Sequence, residues 1–327
     1  MADDNSADVD LDLDLLRASA RRFLAERGET QSVKELAAMD WTGLLVDEAM
    51  GGAGWCPVET CVIAEELGRA RDGSSWFGTA LAAAALGSAP DQVRQQWLPS
   101  LLTGTATAGC TFLGDCARVV RDDADIVIIL GSNGIHLLED LDPARFELDA
   151  DLLDVNRPVC RIDLTEAPSV AIGSPERAAE LSAVARLLVA ADSIGAVSAT
   201  LERLTAYLKE RVAFGVPIAS FQAVQHRLVD LLVFEVKARA VVMKAARAVA
   251  SGYERGREKA PALAAVAHAF VAANGTAAVD DCMQLSGGIG FTWEYPLHHE
   301  LRRVFTNGHL VGTARSSRAL LAEACGW

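Results

Sequence analysis

No Cys-x-x-Cys pair occurs among the seven cysteines, at positions 56, 61, 110, 116, 160, 282 and 325, and no His-x-x-x-His spacing accompanies them. A zinc site, or any other metal centre, is therefore not expected. Scattered and mostly flanked by apolar residues, the cysteines read as buried free thiols in a reducing compartment. Base is scarce as well: 30 Lys and Arg against 44 Asp and Glu leave a net charge of −14. Nucleic acid and anionic membranes both select clustered Lys and Arg, so neither is an expected partner. No uninterrupted apolar run reaches the roughly 18 residues of a membrane span. The start, Met-Ala-Asp-Asp-Asn-Ser-Ala-Asp, is acidic and polar where a signal peptide is basic and then apolar. These absences lead us to expect a cytoplasmic protein. Internal repeats and low-complexity tracts are missing too.

What is plentiful is material for a core. The 327 residues are 51% hydrophobic, enough for two or three packed layers or up to three small domains. Residues 1–104 read as an N-terminal helical domain. Leu13-Asp-Leu-Leu-Arg-Ala-Ser-Ala-Arg-Arg-Phe-Leu and Cys61-Val-Ile-Ala-Glu-Glu-Leu-Gly carry helical spacing, the second with Gly68 as its expected stop. After Gly104 the pattern changes to a β module over 105–173. Strands are expected at Asp125-Ile-Val-Ile-Ile-Leu, Ile135-His-Leu-Leu, Val159-Cys-Arg-Ile-Asp-Leu and Ser169-Val-Ala-Ile, with a hairpin turn at 131–134. From 174 to 327 the chain is helical again. A stripe of Leu181, Val184, Leu188, Leu201, Leu204 and Leu208, then helices over about 221–251 and 260–285, predict a bundle of antiparallel neighbours. The fold class is mainly α with a small β module.

Gly287, Gly288 and Gly290, in Gln284-Leu-Ser-Gly-Gly-Ile-Gly-Phe, follow no strand and precede no P-loop lysine. Such a run lets main chain come close to another group, or simply ends a helix. Arg211 stands at an expected helix end, where a cation is favoured by the helix dipole alone. His226 reads as a packing residue and His298-His299 as capping or surface residues, since adjacent helical positions point different ways.

Taken with their order, these motifs resemble the acyl-CoA dehydrogenase family. The resemblance starts at Trp41-Thr-Gly-Leu-Leu-Val-Asp-Glu-Ala-Met-Gly-Gly-Ala-Gly and runs through Glu65-Glu-Leu-Gly-Arg-Ala and Trp97-Leu-Pro-Ser-Leu-Leu-Thr-Gly. It is strongest where Arg211-Val-Ala-Phe-Gly-Val-Pro-Ile-Ala-Ser-Phe-Gln combines with Gln284-Leu-Ser-Gly-Gly-Ile-Gly-Phe. It implies an N-terminal helical domain, a middle β domain, here shortened, and a C-terminal four-helix bundle. It also implies a flavin site: Gln284, Leu285, Ser286, Gly287 and Gly288 against the FAD of a neighbouring subunit, Arg211 on its pyrophosphate, Gln222 hydrogen-bonded to it and Phe214 packed on it. A fixed fork of guanidinium donors suits paired phosphate oxygens.

Two departures qualify that implication. The family's reaction, which forms a 2,3-enoyl-CoA, needs a glutamate to take the α-proton while the cofactor accepts electrons. The two positions where members carry that base are here Val311 and Ala185. The ring-binding segments of the β module are also unrecognisable beyond Thr111-Phe-Leu-Gly-Asp-Cys-Ala. The resemblance is thus to the small, base-lacking subunit of the α2β2 heterotetrameric acyl-CoA dehydrogenases with which actinobacteria shorten steroid side chains in cholesterol catabolism. It implies FAD shared with a glutamate-bearing partner subunit, an acyl-CoA substrate and electron-transfer flavoprotein as acceptor. Two other readings stay open: a non-catalytic scaffold or binding protein of the same fold, and a homomeric dehydrogenase using another acid. Glu294, Glu300 and Asp281 are the acids near the motifs, each expected to be a solvent or helix-surface carboxylate.

Overall fold

The computed structural model describes residues 4–27, 31–112, 118–120, 124–139, 141–152, 154–251 and 260–327, with side chains from residue 12 onward. Among the described residues five α-helices come first: α1 (Asp4–Ala25), α2 (Val33–Ala37), α3 (Pro57–Arg69), α4 (Trp76–Leu86) and α5 (Asp91–Leu102). Local chemistry sets their ends. Ser32 and Glu35 form a reciprocal capping box at α2, and Pro57 opens α3 where a missing N–H costs nothing. Gly68 does not end α3, as expected, but lies inside it. A Cβ there would sit 2.0 Å from the Asp192 carbonyl, so glycine is needed for close packing on the next long helix. The left-handed residue that follows α3 is instead Arg71, with φ 57°.

Seven strands follow among the described residues: β1 (Ala108–Phe112), β2 (Arg118–Val120), β3 (Ile126–Gly131), β4 (Gly134–Leu138), β5 (Phe146–Leu148), β6 (Val159–Ile162) and β7 (Ser169–Gly173). The four expected strands are present; β1, β2 and β5 are additional. One sheet runs β1-β3-β4-β7, with β1 parallel to β3 and the other pairs antiparallel; the other runs β2-β6-β5. Period-2 alternation divides the first sheet between two cores. Ile126, Ile128, Leu130, Ile135 and Leu137 face the helices, while Val127, Ile129 and Leu138 meet Val119 and Ile162 between the sheets. Of the Thr111–Ala117 segment, residues 113–117, including Cys116, lie outside the described residues.

The remaining helices are α6 (Pro175–Glu210), α7 (Gln222–Ala250), α8 (Ala260–Ser286), α9 (Leu297–Leu310) and α10 (Ala314–Ala324). A short hairpin of β8 (Val212–Ala213) and β9 (Val216–Pro217) joins α6 to α7. Ser174 caps α6 through the Arg177 N–H, with Pro175 at its first position. Two segments, Pro175–Glu210 and Ala260–Phe291, are long and apolar enough to cross a membrane, contrary to the run-length expectation. An uninterrupted run is a stricter test than an average that tolerates a charge or two. In α6, 94% of the apolar window is buried inside the protein, so it serves as the central helix of the core.

Candidate functional site

Three chain ends meet at one end of the bundle: the last turn of α6, the first turn of α7 and the last turn of α8. Ile218 and Val224 from the first junction, and Leu285 and Tyr295 from the second, pack on one cluster that includes Leu204, Leu208, Val279 and Met283. An ion pair of 2.6 Å between Arg227 and Asp281 ties α7 to α8 there. The eight residues singled out for cofactor contact all fall on this rim. Arg211 is the C-cap of α6; its N–H donates to the Tyr207 carbonyl at 2.9 Å while its side chain is exposed. Phe214 sits at the hairpin tip with φ 53° and 96% exposure, edge-on to Phe221 at 6.4 Å. Gln222 is the first, exposed residue of α7. On the facing segment Gln284 is exposed, Leu285 half-buried, and the buried Ser286 hydroxyl donates to the Cys282 carbonyl at 2.9 Å.

The three glycines prove to have different tasks. Gly290 is fixed by packing, since a Cβ would strike the Met283 carbonyl at 2.4 Å. Gly287 ends α8 at φ 68°, a conformation glycine adopts without strain. Gly288 has neither constraint: its φ is not left-handed and an added Cβ would meet nothing within 4 Å. Around this rim large apolar side chains stand in solvent, with Phe291 59% and Trp293 69% exposed.

Val311 and Ala185 are elsewhere. Both are buried in the main core cluster, surrounded by aliphatic side chains such as Leu181, Leu188 and Leu310. A cleft of about 660 Å³ opens between Met50, Trp55, Ala84, Ser174 and Arg177, with the Arg177 guanidinium 4.4 Å over the Trp55 ring, but neither Ala185 nor Val311 lines it.

Several expectations need correction. Glu300 is not a surface carboxylate: it is fully buried, accepts from Arg203 at 2.8 Å and lies 3.9 Å from Arg71. Its place at the start of α9 looked exposed because both partners are distant in sequence. Asp281 is paired with Arg227, and Glu294 is exposed. His226 is exposed rather than packed, because α7 turns that face outward. His298 and His299 are half-buried, His298 stacking on Trp293 at 4.5 Å. Cys61, Cys110, Cys160 and Cys282 are buried, Cys56 is half-buried and Cys325 exposed; burial pushes the Cys282 thiol up to about 12. Among the described residues no group of three His, Cys, Asp or Glu could hold a metal ion.

Sequence reasoning missed a buried polar network where α6, α9 and the segments around 72 and 154–157 converge. Arg303 donates to both Asp192 oxygens at 2.8 and 2.6 Å and to the Asp72 carbonyl at 2.7 Å. Asn307 donates to Asp192 at 2.6 Å and is bonded by Arg157. Burial pushes the Asp192 carboxyl up, but Arg303 and Arg157 outweigh it and hold the group below the ordinary carboxylate range. The available signal was one acid within the apolar run Val189-Ala-Ala-Asp-Ser-Ile of a core helix.

The family descriptions "Acyl-CoA dehydrogenase, N-terminal domain" and "Acyl-CoA dehydrogenase, C-terminal domain" match residues 12–105 and 176–326. The chain is 32% identical over 304 residues to acyl-CoA dehydrogenase IpdE2 of Mycobacterium tuberculosis, covering 91% of this chain and 88% of that protein. It is 33% identical over 300 residues to acyl-CoA dehydrogenase FadE34 of the same organism, covering 88% of this chain but 41% of that one. Among solved structures it resembles a variant of the Tcur3481–Tcur3483 steroid ACAD (TM-score 0.81, 23% identity, 96% and 98% of the two chains). It also resembles the Mycobacterium tuberculosis ChsE4–ChsE5 complex (TM-score 0.77, 19%, 100% and 98%) and a Mycobacterium smegmatis glutaryl-CoA dehydrogenase in complex with FADH2 (TM-score 0.77, 17%, 96% and 94%). With its two flanking domains matched and a relative of this identity aligned along most of both lengths, the chain belongs to the acyl-CoA dehydrogenase family.

Proposed function

We propose that this chain is the base-lacking subunit of a heteromeric, FAD-dependent acyl-CoA dehydrogenase, and that its exposed rim completes a flavin site held mainly by a glutamate-bearing partner. One observation carries the reading: Arg211, Phe214, Gln222, Gln284, Gly287 and Gly288 are presented outward, while Ala185 and Val311, at the positions the resemblance assigns to the base, are aliphatic and sealed in the core. Gly288 supports it, because nothing in the chain itself explains the missing side chain, whereas an outside group lying on the main chain would. So do Phe214, Phe291 and Trp293, whose exposure suits surfaces covered in an assembly. FadE34 has length left over for a second unit of this size, which suits a pairing of two such units.

The rim fits the cofactor chemically. Arg211 would hold the pyrophosphate with a charge-assisted fork, Gln222 would hydrogen-bond the dinucleotide, and Phe214 would cover it. The Gln284–Gly288 main chain would lie against it where a Cβ would collide. FAD, when bound, supplies the electron acceptor; this chain binds and orients it and shields it from water. The α-proton is left to the partner's glutamate. A steroid-derived acyl-CoA is the substrate class this reading favours, through likeness to the Tcur3481–Tcur3483 steroid ACAD, with electron-transfer flavoprotein as the acceptor.

Turnover of the assembled complex tests this. Changing the partner's glutamate to glutamine should lower it by roughly 10²–10⁴, the usual worth of a positioned general base. Glu294→Gln in this chain should leave it within about threefold, since an exposed acid away from the reacting atoms adds nothing to proton transfer. If Glu294→Gln abolished turnover with FAD still bound, the chain would carry its own base.

A further inference from the structure

We propose a second binding site, for a phosphate group, in an arginine-lined pocket between α1, the end of α3 and the C-terminal third of α6. The pocket has a volume of about 270 Å³ and is walled by Arg21, Arg69, Arg71 and Arg203, with Glu66 as its lining carboxylate. In a chain of net charge −14 four guanidinium groups around one cavity are not background. Two are held firmly: Arg21 donates twice to Glu66, at 2.9 Å each, and Arg69 is paired with Glu202. The other two converge on a single acid. Arg203 and Arg71 lie 2.8 and 3.9 Å from the same Glu300 oxygen, and that carboxylate is wholly buried behind the pocket.

Arg71 is the informative residue. It occupies the left-handed position after α3, with φ 57°, which glycine ordinarily takes at the end of a helix. Its guanidinium is nevertheless turned inward, with the side chain only 13% exposed. Burial depresses its hold on the proton, against the pull of Glu300 and with the crowding of Arg203 and Arg303, so an anion in the pocket would offset part of the cost of its burial. Guanidinium forks match phosphate oxygens in pairs. The volume falls below the roughly 300–1,000 Å³ of sites that enclose a whole cofactor, so the fit is to a phosphate group, with Leu24 and Ala25 left to border whatever carries it. That group has two sources, free phosphate or the phosphate of a nucleotide. The site is independent of the flavin reading.

The test uses the full-length chain, with its partner if the two co-purify, titrated with inorganic phosphate at ionic strength held constant by NaCl. Tm should rise by roughly 2–4 °C once phosphate is about tenfold above its Kd. Arg71→Gly, which removes the left-handed strain but takes one cation from Glu300 while Arg203 stays on it, should remain folded at a somewhat lower Tm and lose the rise; Arg69→Gln, on the pocket wall, should keep the fold and weaken the rise. Arg211→Ala, on the flavin rim, should keep it. No rise in the parent chain, an equal rise in Arg71→Gly, or loss in Arg211→Ala instead would overturn the site. ADP and adenosine 3′,5′-bisphosphate serve as parallel titrants. A Kd at least tenfold below that of phosphate assigns a nucleotide, and equal affinity assigns free phosphate.

Discussion

The rim at one end of the bundle and the interior around Ala185 and Val311 descend from the same family plan and have been treated in opposite ways. On the rim, Arg211, Phe214, Gln222 and Gly288 are displayed to solvent. In the interior, Ala185 and Val311, at the positions the resemblance assigns to the base, are small apolar side chains sealed in the core. A fold that had merely decayed would lose both sets; one kept as a scaffold would need neither. An exposed rim beside a sealed aliphatic interior is the pattern expected of the proposed role, a subunit completing a partner's site. The comparison therefore predicts a separation: changes inside should act on folding, and changes on the rim should act on flavin.

The largest effect should come from inside. Arg303→Ala takes from the buried Asp192 carboxylate its two shortest charged contacts and leaves only Arg157 at 3.5 Å and the neutral Asn307, a loss of about 3–5 kcal/mol for breaking a buried pair. A lowered urea midpoint checks it, with flavin lost only as the fold is lost. Glu300→Gln belongs to the same class, because Arg203 and Arg71 depend on that carboxylate.

Next is His268, buried on α8 with its Nδ1 2.8 Å from the Ser317 hydroxyl. Burial, assisted by Arg186, lowers it to about 4. The unfolded chain then binds more protons than the folded one between about pH 6.5 and pH 4. Stability is complete above 6.5 and falls with pH across that window, by about 3 kcal/mol in total. His268→Gln should flatten that part of the stability curve.

On the rim, Arg211→Ala should weaken FAD retention in the complex by about 1.5–3 kcal/mol, the worth of a hydrogen bond to a charged group, with Tm unchanged. Flavin content after gel filtration reads it. The smallest effect on the fold, and the sharpest contrast, is Gly288→Ala. With open space over the Cβ, Tm should move by no more than about 2 °C, since a compatible Gly-to-Ala change is worth less than about 1 kcal/mol, while flavin retention falls. Gly290→Ala, two residues on, should do the reverse and damage the fold.

The rim was legible in the sequence because its residues form two contiguous motifs, and the long helices because their apolar stripes repeat at helical spacing. The strands β3 and β4 were legible through an apolar run broken by Gly131-Ser-Asn-Gly134. Strand β1 was not, since Ala108-Gly-Cys-Thr-Phe lacks a β-branched run and gains its place from pairing with β3. The Asp192–Arg303 pair spans 111 residues and the Arg303–Asp72 bond 231, so no local pattern announces either. Glu300 failed for the same reason: its neighbours in sequence, His299 and Leu301, say nothing of Arg203 and Arg71.

The central claim is that this chain completes a flavin site and does not own one. Its most direct test is the flavin-to-chain ratio, measured by absorbance and protein mass for the chain purified alone and then with its glutamate-bearing partner. The account predicts no FAD on the chain alone and FAD in the joint complex. A yellow homomer of this chain, with one FAD on every subunit, would contradict it.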